Sequence, residues 1–140
     1  MNRQPWQLTM NTSKSLKIAC WANAIVAETS ALLALLGHAT WTFVNEITGG
    51  YWLFFGLDMA LLAGLAAWAA LRKTVSKPLL WAVVLLNSFM IGFFLVVFDT
   101  SATRSPLGTA LLLIDVVTLL ACLLIQVGSL RNESNVPTTA

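Results

Sequence analysis

The chain has 140 residues, of which 58% are hydrophobic and only 10% charged, with a formal net charge of +2. A soluble domain carries about a quarter of its residues as charges, so this composition excludes an ordinary soluble fold and points to a lipid-embedded one. No Lys or Arg interrupts residues 18–71, 78–103 or 105–130, which also excludes helices with a charged solvent face.

Residues 1–17 carry Arg3, Lys14 and Lys17 and read as a flexible cytoplasmic segment with Trp6 at the interface. Four apolar runs follow, at 18–39, 51–71, 79–98 and 107–129. Each matches the ~20 residues that a helix needs to cross a bilayer. Only helices suit such runs, because lipid satisfies no open backbone group. All four prolines lie outside the runs. Lys77-Pro78 and Ser105-Pro106 place proline at a helix entry, where its missing N–H costs nothing, and make Ser105 an N-cap. Residues 130–140 read as a short disordered cytoplasmic tail. The expected fold class is therefore all-α: a polytopic membrane protein with one domain, 18–129, of four transmembrane helices in an up-down bundle.

Lys14 and Lys17 before an apolar stretch ending in Gly37-His38-Ala39 also have the pattern of a secretory signal. The stretch is longer than a usual signal core and has Glu28 at its centre, so the reading as a span is preferred.

Charge sets the expected orientation. Arg3, Lys14, Lys17, Arg72, Lys73, Lys77 and Arg131 fall on one side and only Arg104 on the other. Positive residues concentrate inside, so both termini are expected in the cytoplasm. The aromatic residues agree: Trp21, Trp68 and Trp81 mark the inner interface, and Trp41, Tyr51 and Trp52 the outer one.

Cys20 and Cys122 both map to the cytoplasmic half, a reducing side, and read as small packing residues rather than a disulfide. His38 reads as a polar residue at an outer helix end. With one histidine and two isolated cysteines the spacing of metal ligands is missing, so neither a metal nor another cofactor is expected.

Three acids inside the runs carry the functional question: Glu28, Asp58 and Asp115. An unpaired Asp at the bilayer centre is disfavoured by ~2.5–3.5 kcal/mol even on lenient insertion scales, so such an acid must be protonated, bind a cation or reach water. Counted at ~1.5 Å per residue, Glu28 and Asn87 lie near mid-membrane and Asp58 and Asp115 somewhat further out, depths that allow one shared polar site. Asp115, Thr118, Cys122, Gln126 and Ser129 recur at helical spacing and form a polar stripe expected to face the bundle. Asn23, Ala27, Ser30 and Ala34 form a small, partly polar strip beside Glu28, while Gly56, Ala60 and Gly64 form a small-residue series suited to close helix contact. Asp58 lies off that series and is expected to face another neighbour or a second subunit. Asp58 and Asp115 each sit about two turns into the second helix of a hairpin, a correspondence expected of two related hairpins. The candidate ligand- or proton-binding residues are Glu28, Asp58, Asn87, Asp115 and Thr118.

The residues Ala24-Ile-Val-Ala-Glu28 resemble the first helix of small multidrug resistance transporters. That resemblance implies a Glu28 that binds protons and cationic drugs alternately. The family's third-helix Trp-Gly pattern is missing, and this chain is longer and holds additional intramembrane acids. The stretches "GLDMALLAGLAAWAALRK", "WAVVLLN" and "GTALLLIDVVTLLACLLIQVGSLR" resemble a loose group of short four-span bacterial integral membrane proteins. That resemblance implies the architecture and no mechanism.

Three functions follow in order of preference. The first is a non-catalytic accessory or interaction protein of the bacterial cytoplasmic membrane. It would self-associate as a homo-oligomer or bind another membrane protein, and its buried acids would fix helix register or hold a small ligand. The second is a proton-coupled carrier of a small cationic or lipophilic compound. A membrane enzyme comes third, because one His, short loops and no nucleophile-plus-base pattern leave little from which to build an active site. Nucleic acid is not an expected partner, since the basic residues flank spans and form no basic domain.

Overall fold

A computed structural model describes residues 9–36, 51–100 and 106–134. In chain order these form β1 (Thr9–Asn11), α1 (Lys14–Leu36), α2 (Tyr51–Leu71), β2 (Thr74–Ser76), α3 (Lys77–Thr100) and α4 (Pro106–Ser134). All four helices are long and apolar enough to cross a membrane. Their positions follow the four apolar runs, with α1 extended back to Lys14 and α4 forward to Ser134. Pro106 opens α4 and Pro78 is the second residue of α3. The expected cap Ser105, as well as His38, Trp41 and Arg104, lies outside the described residues.

Each helix packs against its chain neighbours, and α1 also packs against α4, which closes a four-membered ring. Cross-helix contacts give the directions. Gly56 near the start of α2 meets Ala34 and Leu35 at the end of α1. Phe55 of α2 stacks on Phe93 of α3 with ring centroids 5.9 Å apart, and Asn87 of α3 meets Gln126 of α4. The order is therefore up-down-up-down, which brings β1, β2 and the C-terminal half of α4 to one end.

That end is where the structure departs from the sequence reading. The N-terminal segment expected to be flexible carries β1, paired antiparallel with β2 in the register Thr9↔Ser76, Met10↔Val75 and Asn11↔Thr74. Alternation explains the pairing: Met10 and Val75 point inward and are buried, whereas their neighbours Thr9, Asn11 and Thr74 are exposed. Met10 and Val75 close the bundle end over Leu16, Ala69, Leu80 and Leu130. The Thr12 hydroxyl lies 2.9 and 2.8 Å from the carbonyl oxygens of Arg72 and Lys73. Ser13 caps α1, accepting the Leu16 N–H at 3.2 Å.

Small residues set the closest helix contact. Ala24, Ala27, Ala31 and Ala34 are buried along one face of α1, which packs most extensively on α2. A Cβ added at Gly56 would come within 2.7 Å of the Leu35 side chain, so a larger residue there would have to displace Leu35. Gly64 of the expected small-residue series behaves differently, because nothing lies within 4 Å of a Cβ placed there. Outward positions such as Ile18, Ile25, Phe54, Leu85 and Leu124 are large, apolar and exposed. Trp21, Trp68 and Trp81 are also exposed, near the end that carries the sheet, with the Arg72 guanidinium 4.9 Å from the Trp68 ring centre.

Candidate functional site

The polar residues expected to share one site occupy four separate places. The first is a layer across the bundle at the level of Asn87. Asn23, Asn87 and Gln126 are each fully buried there. The Asn87 Nδ2 donates to Gln126 Oε1 at 2.9 Å, joining α3 to α4. Both cysteines belong to this layer: the buried Cys20 thiol lies beside the Gln126 side chain, and Cys122 sits against the Asn23 backbone. Both are free thiols. Several amide atoms here, Asn23 Nδ2 and Oδ1, Asn87 Oδ1 and Gln126 Nε2, have no hydrogen-bond partner among the described residues.

The second place lies nearer the opposite end, where the Ser30 hydroxyl donates to Asp115 Oδ2 at 3.0 Å and ties α1 to α4. Asp115 and Asn87 thus sit in different cross-helix pairs. The stripe on α4 does face inward, with Cys122 and Gln126 buried and Asp115, Thr118 and Ser129 half-buried. Helical spacing put these residues on one face. The residues opposite came from the strip on α1, where Asn23 and Ser30 are both buried.

Glu28 stands apart from both layers. It is one position past the buried Ala27, about 100° around the helix, and is exposed on the outside of α1. It borders a shallow groove between α1 and α2 with Trp21, Ile25, Thr29, Ala63 and Gly64. The open space above Gly64 keeps this groove from filling. No hydrogen bond or ion pair is made to Glu28 by the described residues. Glu28 therefore does not meet Asp115 or Asn87, contrary to the matching of depths, because depth fixes height along a helix and leaves direction around it open.

Asp58 occupies the fourth place, on the side of α2 that faces α3. It borders a cleft of about 520 Å³, and its Oδ2 is buried without a hydrogen-bond partner among the described residues. Three hydroxyls elsewhere are satisfied within their own helices: Thr29 donates to the Ile25 carbonyl at 2.8 Å, Ser88 to Val84 at 2.8 Å and Ser129 to Ile125 at 2.9 Å.

Chemically, the two inner places consist of amides, a hydroxyl, thiols and one carboxyl, with Asn87–Gln126 and Ser30–Asp115 bonded across helices. Among the described residues no group of three or more His, Cys, Asp or Glu is placed to hold a metal ion. The arrangement defines a four-helix bundle with an apolar exterior and an apolar core that holds a few buried polar side chains. No family model, curated protein or solved structure matches the chain.

Proposed function

We propose that this is a non-catalytic integral membrane protein of the bacterial cytoplasmic membrane, an accessory or interaction protein whose interior polar residues fix the register of its helices. One observation carries the reading: two pairs of inward-facing polar side chains bond across helices, Asn87 to Gln126 and Ser30 to Asp115. In an apolar interior such pairs favour one rotation and one height of each helix, since a slip leaves two polar groups unpaired. Among the helices, α4 has the smallest buried share. Its outward Ile114, Val117 and Leu124 are the surface we assign to a second copy or another membrane protein.

Orientation belongs to the same proposal. Lys14, Lys17, Arg72, Lys73, Lys77 and Arg131 lie near the sheet-bearing end together with the exposed Trp21, Trp68 and Trp81, which supports placing that end in the cytoplasm. A reporter active only outside the cytoplasm is expected to work when fused after Glu46 and to fail when fused after Asn132. The reverse pattern would invert the orientation, and activity at both points would break the four-span count.

The second reading, a proton-coupled carrier, is favoured by Glu28, an exposed carboxyl with no partner among the described residues, at mid-helix in a groove. The two readings part on substitution. On the accessory reading both Glu28→Gln and Glu28→Leu fold with unchanged melting temperature, because no described group loses a hydrogen bond. Native protein and Glu28→Gln then release no proton on adding a lipophilic cation. Proton release by the native protein that vanishes in Glu28→Gln would establish the carrier instead.

A further inference from the structure

The cleft beside Asp58 combines features that the helix-register role does not use. Its floor is apolar, formed by the buried Phe55 and Met90. Its rim is aromatic and outward-facing, with Phe54 and Phe89 both well exposed. Phe93 completes the wall, held by the stacked contact with Phe55 and by Phe94 at a centroid distance of 6.4 Å. Of the four adjacent helix pairs, α2 and α3 pack least extensively, so the cleft opens sideways between them. The volume of about 520 Å³ falls in the range of ~300–1,000 Å³ typical of small-molecule sites.

We infer that the α2–α3 cleft is a binding site for a lipophilic organic monocation, with Asp58 as its counter-ion and the phenylalanines as its walls. Charge complementarity selects this occupant. Among the described residues the sole acid bordering the cleft is Asp58, and its buried Oδ2 has no hydrogen-bond partner there. A carboxylate so placed is stabilised by a cation that needs little hydration of its own. Aromatic faces around it attract the same cation through their quadrupoles. Mg²⁺ and Ca²⁺ do not suit the cleft, because they require about six or more oxygen ligands and the cleft supplies one carboxyl among aromatic and aliphatic groups. A neutral lipid chain would fill the volume and leave the carboxyl unmatched. The site is separate from Glu28 and from the Asn87–Gln126 layer, so it stands or falls independently of the register role.

The test uses the full chain in lipid nanodiscs with tetraphenylphosphonium as probe and tetraphenylborate, its anionic counterpart of the same shape, as control. We expect saturable binding of one phosphonium per chain, at least ten times tighter than that of the borate. Asp58→Asn should weaken it at least tenfold with the melting temperature retained, and Glu28→Gln should leave it unchanged. If Asp58→Asn fails to fold, carbodiimide labelling of native protein decides: phosphonium should slow labelling at Asp58 at least fivefold and leave labelling at Glu28 unaffected. Equal binding of cation and anion, equal affinity in folded Asp58→Asn, loss of binding in Glu28→Gln, or unprotected labelling of Asp58 would each overturn the assignment.

Discussion

Gln126→Leu is expected to lower the stability of the detergent-solubilised protein by about 1–2 kcal/mol, the cost of stranding a buried polar partner. The substitution removes the acceptor for Asn87 Nδ2. Asn87 is fully buried, and its Oδ1 already lacks a partner among the described residues, so the whole amide is left in an apolar interior. Unfolding in mixed micelles with increasing dodecyl sulfate measures the loss. Leu124→Ile, at an exposed position on the same helix, provides the comparison and should change stability by less than about 0.5 kcal/mol. A Gln126→Leu protein as stable as the native one would mean that this layer does not hold α3 to α4.

Asp115→Leu and Asp58→Leu are expected to act in opposite directions, although both remove an acid from an apolar helix. Asp115 accepts the buried Ser30 hydroxyl. Its replacement unpairs that hydroxyl and separates α1 from α4 at their point of polar contact, at a cost of about 1–2 kcal/mol. Asp58 has no partner for its buried Oδ2 among the described residues and lies among Phe54, Phe55 and Phe89. Leu in that place relieves an unmatched polar atom and fills part of the cleft, so stability should hold or rise. Thermal unfolding of the two variants in one detergent gives the comparison. Equal losses would show that Asp115 has no special place in the bundle.

The four helices were legible in the sequence because residues 18–71, 78–103 and 105–130 contain no Lys or Arg, and a long apolar run has few alternatives to a helix. The inward face of α4 was legible for a similar reason: Cys122 and Gln126 repeat at helical spacing, and both are buried. Glu28 was misplaced because neighbouring positions on a helix differ by about 100°, while matching of depths compares heights alone. The strip Asn23, Ala27, Ser30 and Ala34, all buried, marks the inward face of α1, and Glu28 lies about 100° or more around the helix from each of them. The β1–β2 pair escaped notice because three-residue strands give only one alternation each, Met10 and Val75 inward between polar neighbours, and their pairing spans more than sixty positions. The Asp58 cleft depends on where α2 and α3 part, which neither helix's sequence encodes alone.

A double-substitution cycle on Asn87 and Gln126 tests most directly whether interior polar pairs fix this bundle. Asn87→Leu, Gln126→Leu and the two together are compared by unfolding in mixed micelles. The hydrogen bond at 2.9 Å predicts that the double variant loses less stability than the two single variants summed, by about 1 kcal/mol, because leucine on both helices leaves neither amide stranded. Strict additivity within about 0.3 kcal/mol would contradict the claim, since it would mean that the two side chains do not sense each other across α3 and α4.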